Sequence, residues 1–323
     1  MTPLRLGLLS TANINRAVLA GAAATDAVEV TAVASRDRGR AEAYAAEHGL
    51  ARGHGSYEAL LEDPEVDAVY VSLPNALHVE WSIRALEAGK HVLCEKPLTR
   101  RPADAEAAFA AAGRAGRVLA EAFMWRHHPL ALRLEELIAG GVVGEVRMVR
   151  AVFSFSLRHE GDVRLDAALD GGALMDVGCY CVSALRLVGG EPERVAGRQV
   201  LSAGGVDVRF TGTAAFPGGA LGSFDCGLDV APRSGLEVAG SDGVLFLADP
   251  WKATVPAIEV RRSGSVERVE VDNPDPYTCE LEDFAAAVRG DGPPRLGAED
   301  AIAQARTIAA LYASAEAGAD VAV

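Results

Sequence analysis

The stretch HVLCEKP, residues 91–97, decides the fold. Its first four residues form a short apolar run, and they follow a helix-like segment that ends with Ala88, Gly89 and Lys90. A lysine at the carboxyl end of a buried strand lies where α/β sheets bind ligands. Pro97 sets the turn and disfavours helical geometry at Lys96. The same letters also fit a turn with a solvated lysine, so the interpretation depends on the surrounding chain.

The chain on both sides of this stretch alternates between strand and helix patterns. Short apolar strands are predicted at 4–10, 28–35, 66–73, 91–95 and 118–122. Helices are predicted between them at 14–24, 38–48, 76–88 and 102–114. Alternation of this kind predicts a parallel, doubly wound sheet, the Rossmann arrangement that binds dinucleotides.

The pattern changes after about residue 122, and the chain is long enough for two domains. Residues 1–122 are predicted to form the dinucleotide-binding domain, and residues 123–323 a substrate-binding and oligomerisation α/β domain. The second part has predicted helices at 129–139, 173–188, 277–288 and 298–317, and a strand at 146–155. Residues 194–271 are β-rich with glycine turns, which predicts a large, open, mainly antiparallel sheet. Helix 298–317 could pack back on the first domain.

Composition limits the partners. The 323 residues are 50% hydrophobic and carry a formal net charge of −14, which disfavours nucleic acid and anionic membrane surfaces. No run approaches the ~18 apolar residues of a membrane span. The five cysteines are odd in number and lack metal-site spacing, and no two histidines are spaced for one helix face. We therefore expect a cytoplasmic protein with free thiols, no metal, no membrane partner and no nucleic acid partner.

The first strand–helix turn is a candidate pyrophosphate site. The fingerprint G-x-G-x-x-G lets backbone approach a pyrophosphate at a helix N-terminus, but here Ser10, Ala12 and Asn15 occupy the glycine positions. Ser10 and Ala12 are still small, and the backbone N–H groups of Thr11, Ala12, Asn13 and Ile14 are expected to be available. A plain strand–turn–helix fits this motif equally well.

The end of the second strand predicts the cofactor. An acidic residue there would accept hydrogen bonds from the ribose of NAD. This chain has Ser35 and Arg36, followed by Arg40, and a hydroxyl with guanidinium groups suits the 2′-phosphate of NADP. The alternative is an exposed basic helix start. We predict NADP(H), with NAD(H) the weaker candidate.

Four motifs occur together in one order: SLPNALH at 72–78, GKHVLCEKP at 89–97, EAFMWRHHP at 121–129 and GGALMDVGCY at 171–180. With them the chain resembles the glucose-fructose oxidoreductase and inositol dehydrogenase family, written Gfo/Idh/MocA, over nearly its whole length. It looks most similar to the D-xylose dehydrogenase and dihydrodiol dehydrogenase branch, with sugar 3-ketoreductases close behind. The loop at Ser10 departs from the glycine-rich form of the family.

The resemblance implies the catalytic residues. Lys96 matches the active-site lysine, and Asp176 and Tyr180 match the Asp-x-x-x-His/Tyr motif. Two residues four apart on a helix share a face. Hydride transfer needs a partner for the hydroxyl proton, and a nearby ammonium favours the phenolate of a tyrosine. Tyr180 could instead be a core tyrosine, and Asp176 an early-helix carboxylate that the helix dipole favours.

Other polar residues near these motifs are further candidates. The cofactor set is extended by Leu73, Pro74, Asn75, His78, Glu95, Lys96, Trp125 and Arg126. Substrate candidates are Arg158, Asp162, Arg164 and Tyr277. The alternatives are a surface position for His78, packing for Trp125, and a solvated loop for the segment of Arg158, Asp162 and Arg164.

Three functions are open at this point. The first is an NADP-dependent dehydrogenase that moves hydride between nicotinamide and a secondary alcohol, ketone or C1 hemiacetal of a sugar or cyclic diol. The second is a nucleotide-deoxysugar 3-ketoreductase, and the third a non-catalytic NADP-binding regulator. As in the family that the chain resembles, we expect a homodimer or homotetramer formed through the second-domain sheet.

Overall fold

A computed structural model describes residues 2–157 and 161–323 and divides them into two compact units. Unit 1 comprises the described residues up to Thr99, with Ala103–Met124 and Asp275–Ile302. Unit 2 comprises Arg100–Pro102, the described part of Trp125–Pro274, and Ala303–Val323.

Unit 1 contains a six-stranded, all-parallel sheet in the order β3-β2-β1-β4-β5-β6. The strands are β1 Leu4–Leu8, β2 Val28–Ala34, β3 Arg52–His54, β4 Ala68–Val71, β5 His91–Glu95 and β6 Leu119–Ala122. The helices that follow the first five strands are α1 Asn15–Ala23, α2 Arg38–His48, α3 Tyr57–Leu61, α4 His78–Glu87 and α5 Pro102–Ala115. The strand order reverses between β1 and β4, where doubly wound sheets bind ligands. The predicted parallel, doubly wound sheet is confirmed.

Local sequence signals account for most of these bounds. Asp37 caps α2 by accepting a hydrogen bond from the Arg40 N–H at 2.7 Å, and Gly49 ends the helix with a φ of 69°. β3 and α3 were not predicted, because RGH at 52–54 lacks the apolar pattern of a strand and α3 is one short turn. The helix predicted from residue 76 begins at His78, after a 3₁₀ turn at Asn75–Leu77.

Helix α8, Pro276–Arg289, also belongs to unit 1, whereas the sequence-based division at residue 122 had placed it in the second domain. It packs against α1, where the Thr278 hydroxyl donates to the Gly21 carbonyl at 3.0 Å. A Cβ on Gly21 would come within 2.9 Å of the Thr278 backbone N. A long-range contact of this kind leaves no local signal, and for that reason the division by residue number did not include it.

Unit 2 is built on a nine-stranded mixed sheet in the order β14-β13-β12-β11-β7-β10-β9-β8-β15. Its strands are β7 Val146–Ser156, β8 Arg194–Leu201, β9 Asp207–Ala215, β10 Leu221–Gly227, β11 Asp229–Gly240, β12 Val244–Leu247, β13 Ala257–Arg262, β14 Ser265–Glu270 and β15 Val321–Ala322. The mainly antiparallel character is confirmed. The sheet is not a simple meander, because β7 lies between β10 and β11 and pairs with β10 in parallel.

Three more helices complete the described chain: α6 Pro129–Ala139, α7 Cys179–Gly189 and α9 Ala298–Ala317. Helix α7 is preceded by a π-helical turn at Leu174–Gly178, a form that occurs mostly as single turns and often at functional sites. The segment Ala167–Gly189 is long and apolar enough to cross a membrane, but 78% of its most apolar window is buried inside the fold. Its apolarity is therefore that of a core helix.

Candidate active site

The loop between β1 and α1 is held by serine and asparagine side chains in place of glycines. The Ser10 hydroxyl bonds to the Ser72 carbonyl at 3.0 Å and accepts from the Ala12 N–H at 3.1 Å. The buried Asn15 amide donates to the Ser10 carbonyl at 2.7 Å. The Ala12 N–H, expected to be available, is thus already used. Thr11 and Asn13, also in this loop, offer N–H groups that no hydrogen bond among the described residues engages.

The end of β2 keeps two arginines without carboxylate partners. Ser35 is buried and its hydroxyl accepts from the Asp37 N–H at 3.2 Å. The Asp37 carboxylate caps α2, so it is committed to the helix. Arg36 and Arg40 are exposed, and within the described chain neither forms an ion pair. This edge of the sheet therefore offers guanidinium groups to an anion.

His78 is buried in unit 1 and links two loops, so it is not a surface histidine. Its Nε2 lies 2.7 Å from the Leu73 carbonyl and its Nδ1 lies 2.9 Å from the Pro97 carbonyl. Carbonyl oxygens only accept, so a ring nitrogen that carries a proton can donate to the carbonyl that it faces. The loop that follows β4, with Pro74 and Asn75, is thereby tied to the loop that follows β5.

The Lys96 loop is held by acidic side chains from neighbouring strands. Glu95 accepts from the Lys96 N–H at 3.2 Å and from the hydroxyl of the buried Tyr70. Glu121, at the end of β6, accepts from the Leu98 N–H at 2.7 Å. Lys96 itself is half-buried. Unit 1 thus fixes the backbone on both sides of Lys96.

Close enough to Glu95 to feel its charge is an acid that the sequence analysis did not identify. Glu280 on α8 is buried, and its Oε1 has no hydrogen-bond partner among the described residues. Burial, then the charge of Glu95, raises the pKa of Glu280 well above its usual value. Tyr277, predicted as a substrate residue, lies on the first turn of α8 and packs against the core of unit 1 near Gly21. Its substrate role remains a prediction.

Three of the predicted residues form one network in unit 2. The Arg164 Nε donates to Asp176 at 2.9 Å, and its Nη1 donates to Asp162 at 3.2 Å. Arg164 remains 42% exposed in its side chain, whereas both carboxylates are mostly buried. The charge of Asp176, more than any other contact, raises the pKa of Arg164. Arg158, the remaining substrate candidate of this segment, lies outside the described residues.

Tyr180, on α7, is part of an aromatic cluster. It is 7% exposed, and its ring meets Phe153 edge-on at 5.4 Å and Trp251 at 5.8 Å between centroids. Trp125 meets Trp251 at 5.3 Å, and its Nε1 has no hydrogen-bond partner among the described residues. The sequence analysis did not identify Phe153 or Trp251, because aromatics in a β-rich stretch look like ordinary core.

Lys96 belongs to unit 1, whereas Asp176 and Tyr180 belong to unit 2. Trp125 and Arg126 also belong to unit 2, where the buried Arg126 lies 3.3 Å from the Ser183 hydroxyl on α7. Their proposed contact with nicotinamide remains a prediction. Among the described residues no group of three or more His, Cys, Asp or Glu side chains could hold a metal ion.

Comparison with known proteins identifies the family. Residues 5–123 match the model of an oxidoreductase family with an NAD-binding Rossmann fold, and residues 131–246 match the GFO/IDH/MocA C-terminal domain. The chain belongs to the Gfo/Idh/MocA oxidoreductase family, and the predictions of this family and of an NAD(P)-dependent enzyme are confirmed.

Relatives lie in the branches that the motifs indicated. D-xylose 1-dehydrogenase (NADP(+)) 2 of Haloferax volcanii is 41% identical over 322 residues, 98% of each chain. Trans-1,2-dihydrobenzene-1,2-diol dehydrogenase of Bos taurus is 35% identical over 229 residues, 70% of this chain and 68% of its own. The crystal structure of the 3-ketoreductase KijD10 from Actinomadura kijaniata, with NADP and TDP-benzene, matches with a TM-score of 0.91 at 36% identity, covering 97% and 98%.

Proposed function

We propose that this family member is an NADP(H)-dependent dehydrogenase that transfers hydride between nicotinamide and a secondary alcohol, ketone or C1 hemiacetal of a sugar or cyclic diol. The observation that carries the proposal is the network of Asp162, Arg164 and Asp176, whose last member lies on the π-helical turn that leads into Tyr180. It sets hydroxyl-binding groups one helical turn from a proton carrier. Bound NADP(H) supplies or accepts the hydride.

The residues present fit this cofactor. The N–H groups of Thr11 and Asn13 can donate to a pyrophosphate at the start of α1. Arg36 and Arg40, which lack carboxylate partners among the described residues, can hold a 2′-phosphate, and the acid that would bind a ribose hydroxyl is replaced by Ser35. The NADP in the name of the D-xylose dehydrogenase supports the same preference.

Tyr180 is assigned the proton and Lys96 the charge that favours its transfer. Tyr180 lies among aromatic rings, and a nearby cation favours the deprotonated form of a phenol. Lys96 supplies an ammonium group and donates to the substrate oxygen, while Asp176 orders neighbouring hydroxyls. The hydroxyl proton moves to the Tyr180 oxygen during oxidation and returns from it during reduction.

The ion pairs of the network favour an uncharged substrate. The Arg164 guanidinium pairs with both Asp162 and Asp176. Arg164 is therefore committed to Asp162 and Asp176 and is a poor donor for a diphosphate. Free sugars and cyclic diols, which present only hydroxyl groups, suit the network better.

The second candidate is a 3-ketoreductase of nucleotide-linked deoxysugars. It is supported by the likeness to KijD10, whose structure holds TDP-benzene. A regulator without catalysis is disfavoured because Lys96 and Tyr180 are both present.

The test is a panel of pyranoses, cyclic diols and a dTDP-3-ketosugar, assayed with NADP⁺ or NADPH and with the NAD pair. Turnover of a free sugar or diol with NADP⁺ is expected. Activity confined to the nucleotide sugar would establish the second candidate. NADPH binding without turnover of any compound would establish the regulator.

The proposal includes self-association through the unit 2 sheet and a cytoplasmic location. Met148 and Leu221 lie side by side on β7 and β10, each more than half exposed, and Leu201 on β8 is also exposed. Exposed apolar side chains grouped on one sheet are typical of interfaces. The five unbridged cysteines fit a reducing compartment. A monomer in light scattering at micromolar concentration would contradict self-association.

A further inference from the structure

The helix that carries Asp176 and Tyr180 has a cap supplied from a distant strand. The residue before the turn, Ala173, provides no side-chain cap. Instead the Leu174 N–H donates to Oδ2 of Asp207, the first residue of β9, at 2.7 Å. The first N–H groups of a helix have no partner inside it, and a carboxylate there also complements the helix dipole.

The Asp207 carboxylate is buried and closely surrounded. Asp207 is 2% exposed, and its Oδ1 accepts from the Tyr312 hydroxyl on α9 at 2.8 Å. Gly172, with a φ of 129°, comes so close that a Cβ would lie 2.2 Å from the same oxygen. Only glycine allows this backbone conformation and this approach. Oδ1 thus accepts from Tyr312 and Oδ2 from Leu174, so each carboxylate oxygen has its own donor.

We propose that Asp207 is a positioning residue for proton transfer: its carboxylate, held by Tyr312, fixes the first turn of the helix that carries Asp176 and Tyr180. This inference rests on the proposed function, which assigns those two residues. Asp207 acts through the backbone of Leu174 and is not assigned a contact with substrate.

Charged and titratable groups surround Asp207 on several sides. The Arg100 guanidinium lies over the Tyr312 ring at 5.2 Å and pairs with Asp170 at 3.0 Å, and the Cys226 thiol faces the site from β10. Burial dominates over the hydrogen bonds from Leu174 and Tyr312 and over Arg100, and it raises the pKa of Asp207 to about 6. The carboxylate is thus ionised at neutral pH and protonated in mild acid.

Protonation weakens the cap. A hydrogen bond to a charged acceptor is roughly twice as strong as one to a neutral acceptor. Because the folded-state pKa lies above the usual value of 3.8, the protonated form accumulates as pH falls through about 6. We therefore expect turnover to fall as pH decreases through about 6, and we attribute this acid limb of the pH profile to protonation of Asp207.

The experiment compares Asp207→Asn with wild type. The amide keeps the shape but cannot carry the charge, so kcat at neutral pH should fall about three- to tenfold while the KM for NADPH is unchanged. The acid limb near pH 6 should disappear. The matched control is Asp229→Asn, which makes the same change on the same sheet at an exposed residue paired with Arg209. It should keep both kcat and the limb.

Hydrogen exchange supplies a readout that does not depend on activity. Amides at 173–177 should exchange faster in Asp207→Asn, and to a smaller extent in the milder Tyr312→Phe, than in wild type. Unchanged exchange, or an acid limb that survives in Asp207→Asn, would overturn the inference. An active Tyr180→Phe enzyme would overturn the proposed function instead, so the two failures are distinguishable.

Discussion

Two segments carry the proposed catalytic residues: the Lys96 loop of unit 1, residues 95–98, and the tyrosine helix of unit 2, which runs from the π-helical turn at Leu174 through α7. Their supports come from different distances along the chain. The loop is held by His78, Glu121 and Tyr70, which lie 19, 23 and 25 positions from their partners. The helix is held by Asp207 and Gln304, 33 and 125 positions away.

The two supports also differ in charge and exposure. Around Lys96, backbone N–H groups bind carboxylates at the ends of strands that are neighbours in the sheet. Near Tyr180, one exposed guanidinium joins two acids, and a buried acid caps the helix. Unit 1 thus builds a fixed edge from a local motif, whereas unit 2 assembles its polar groups from strands and helices far apart in sequence.

The most severe test of this comparison changes one residue on each side. Tyr180→Phe keeps the ring but removes the proton carrier, so turnover should fall by ~10²–10⁴ with NADPH binding nearly intact. Lys96→Met should be at least as damaging, because it removes a charge and a donor. Steady-state kinetics and NADPH fluorescence titration measure both effects. Tyr57→Phe, which removes a hydroxyl elsewhere, is the control and should be neutral.

The double variant shows whether both residues serve one step. If they do, the two losses will not add. Near-full turnover in Tyr180→Phe with none in Lys96→Met would make Lys96 the acid/base and leave Tyr180 a packing residue. Activity in both single variants would refute the assignment.

A substitution at the cofactor-binding edge of unit 1 should have a smaller effect, and that effect should be on cofactor selectivity. Arg36→Ala removes a charged contact to the 2′-phosphate that contributes about 1.5–3 kcal/mol, so kcat/KM with NADPH should fall roughly tenfold or more. The value with NADH should hardly change. Arg38→Ala is a matched control at the same helix start, because Arg38 is exposed and already near Glu42. Equal losses with both cofactors would show that Arg36 does not bind the phosphate.

How far the sequence predicts this molecule depends on whether the signal is local or comes from distant parts of the chain. The strand at 91–95 and the helices at 38–48 and 129–139 were predicted with their observed bounds, because apolar pattern, caps and proline act locally. Asp207 follows a Gly204-Gly205 turn and looks like a solvated residue until the sheet forms. Glu280 looks like a charged helix position, and only the packing of α8 on α1 shows that it is buried. Burial of a lone acid is a property of the assembled core.

The substrate side of unit 2 should give a smaller effect again. Arg164→Met releases Asp176 from its ion pair while filling similar space. Since Arg164 is 42% exposed, we expect the KM for the sugar to rise only about three- to tenfold, with NADPH binding unchanged. Arg147→Met, at an exposed arginine of β7 that pairs with Glu145, is the control. A KM that rises equally in both variants would contradict a role for the network in binding hydroxyl groups.

The smallest predicted effect is on the free energy of unfolding. It concerns Glu280, which lies in unit 1. Its folded-state pKa is raised above the unfolded value, first by burial and then by Glu95. The stability that this group contributes is therefore full below its unfolded pKa of about 4.3 and is lost as pH rises through the folded value. Glu280→Gln is neutral at every pH, so urea unfolding should find it within about 1 kcal/mol of wild type in mild acid and more stable than wild type in alkaline solution. Glu282→Gln, at an exposed position on the same helix, should follow wild type throughout. If wild type and Glu280→Gln lost stability in parallel as pH rose, Glu280 would carry its charge in the folded protein, and this buried acid would not hold a proton.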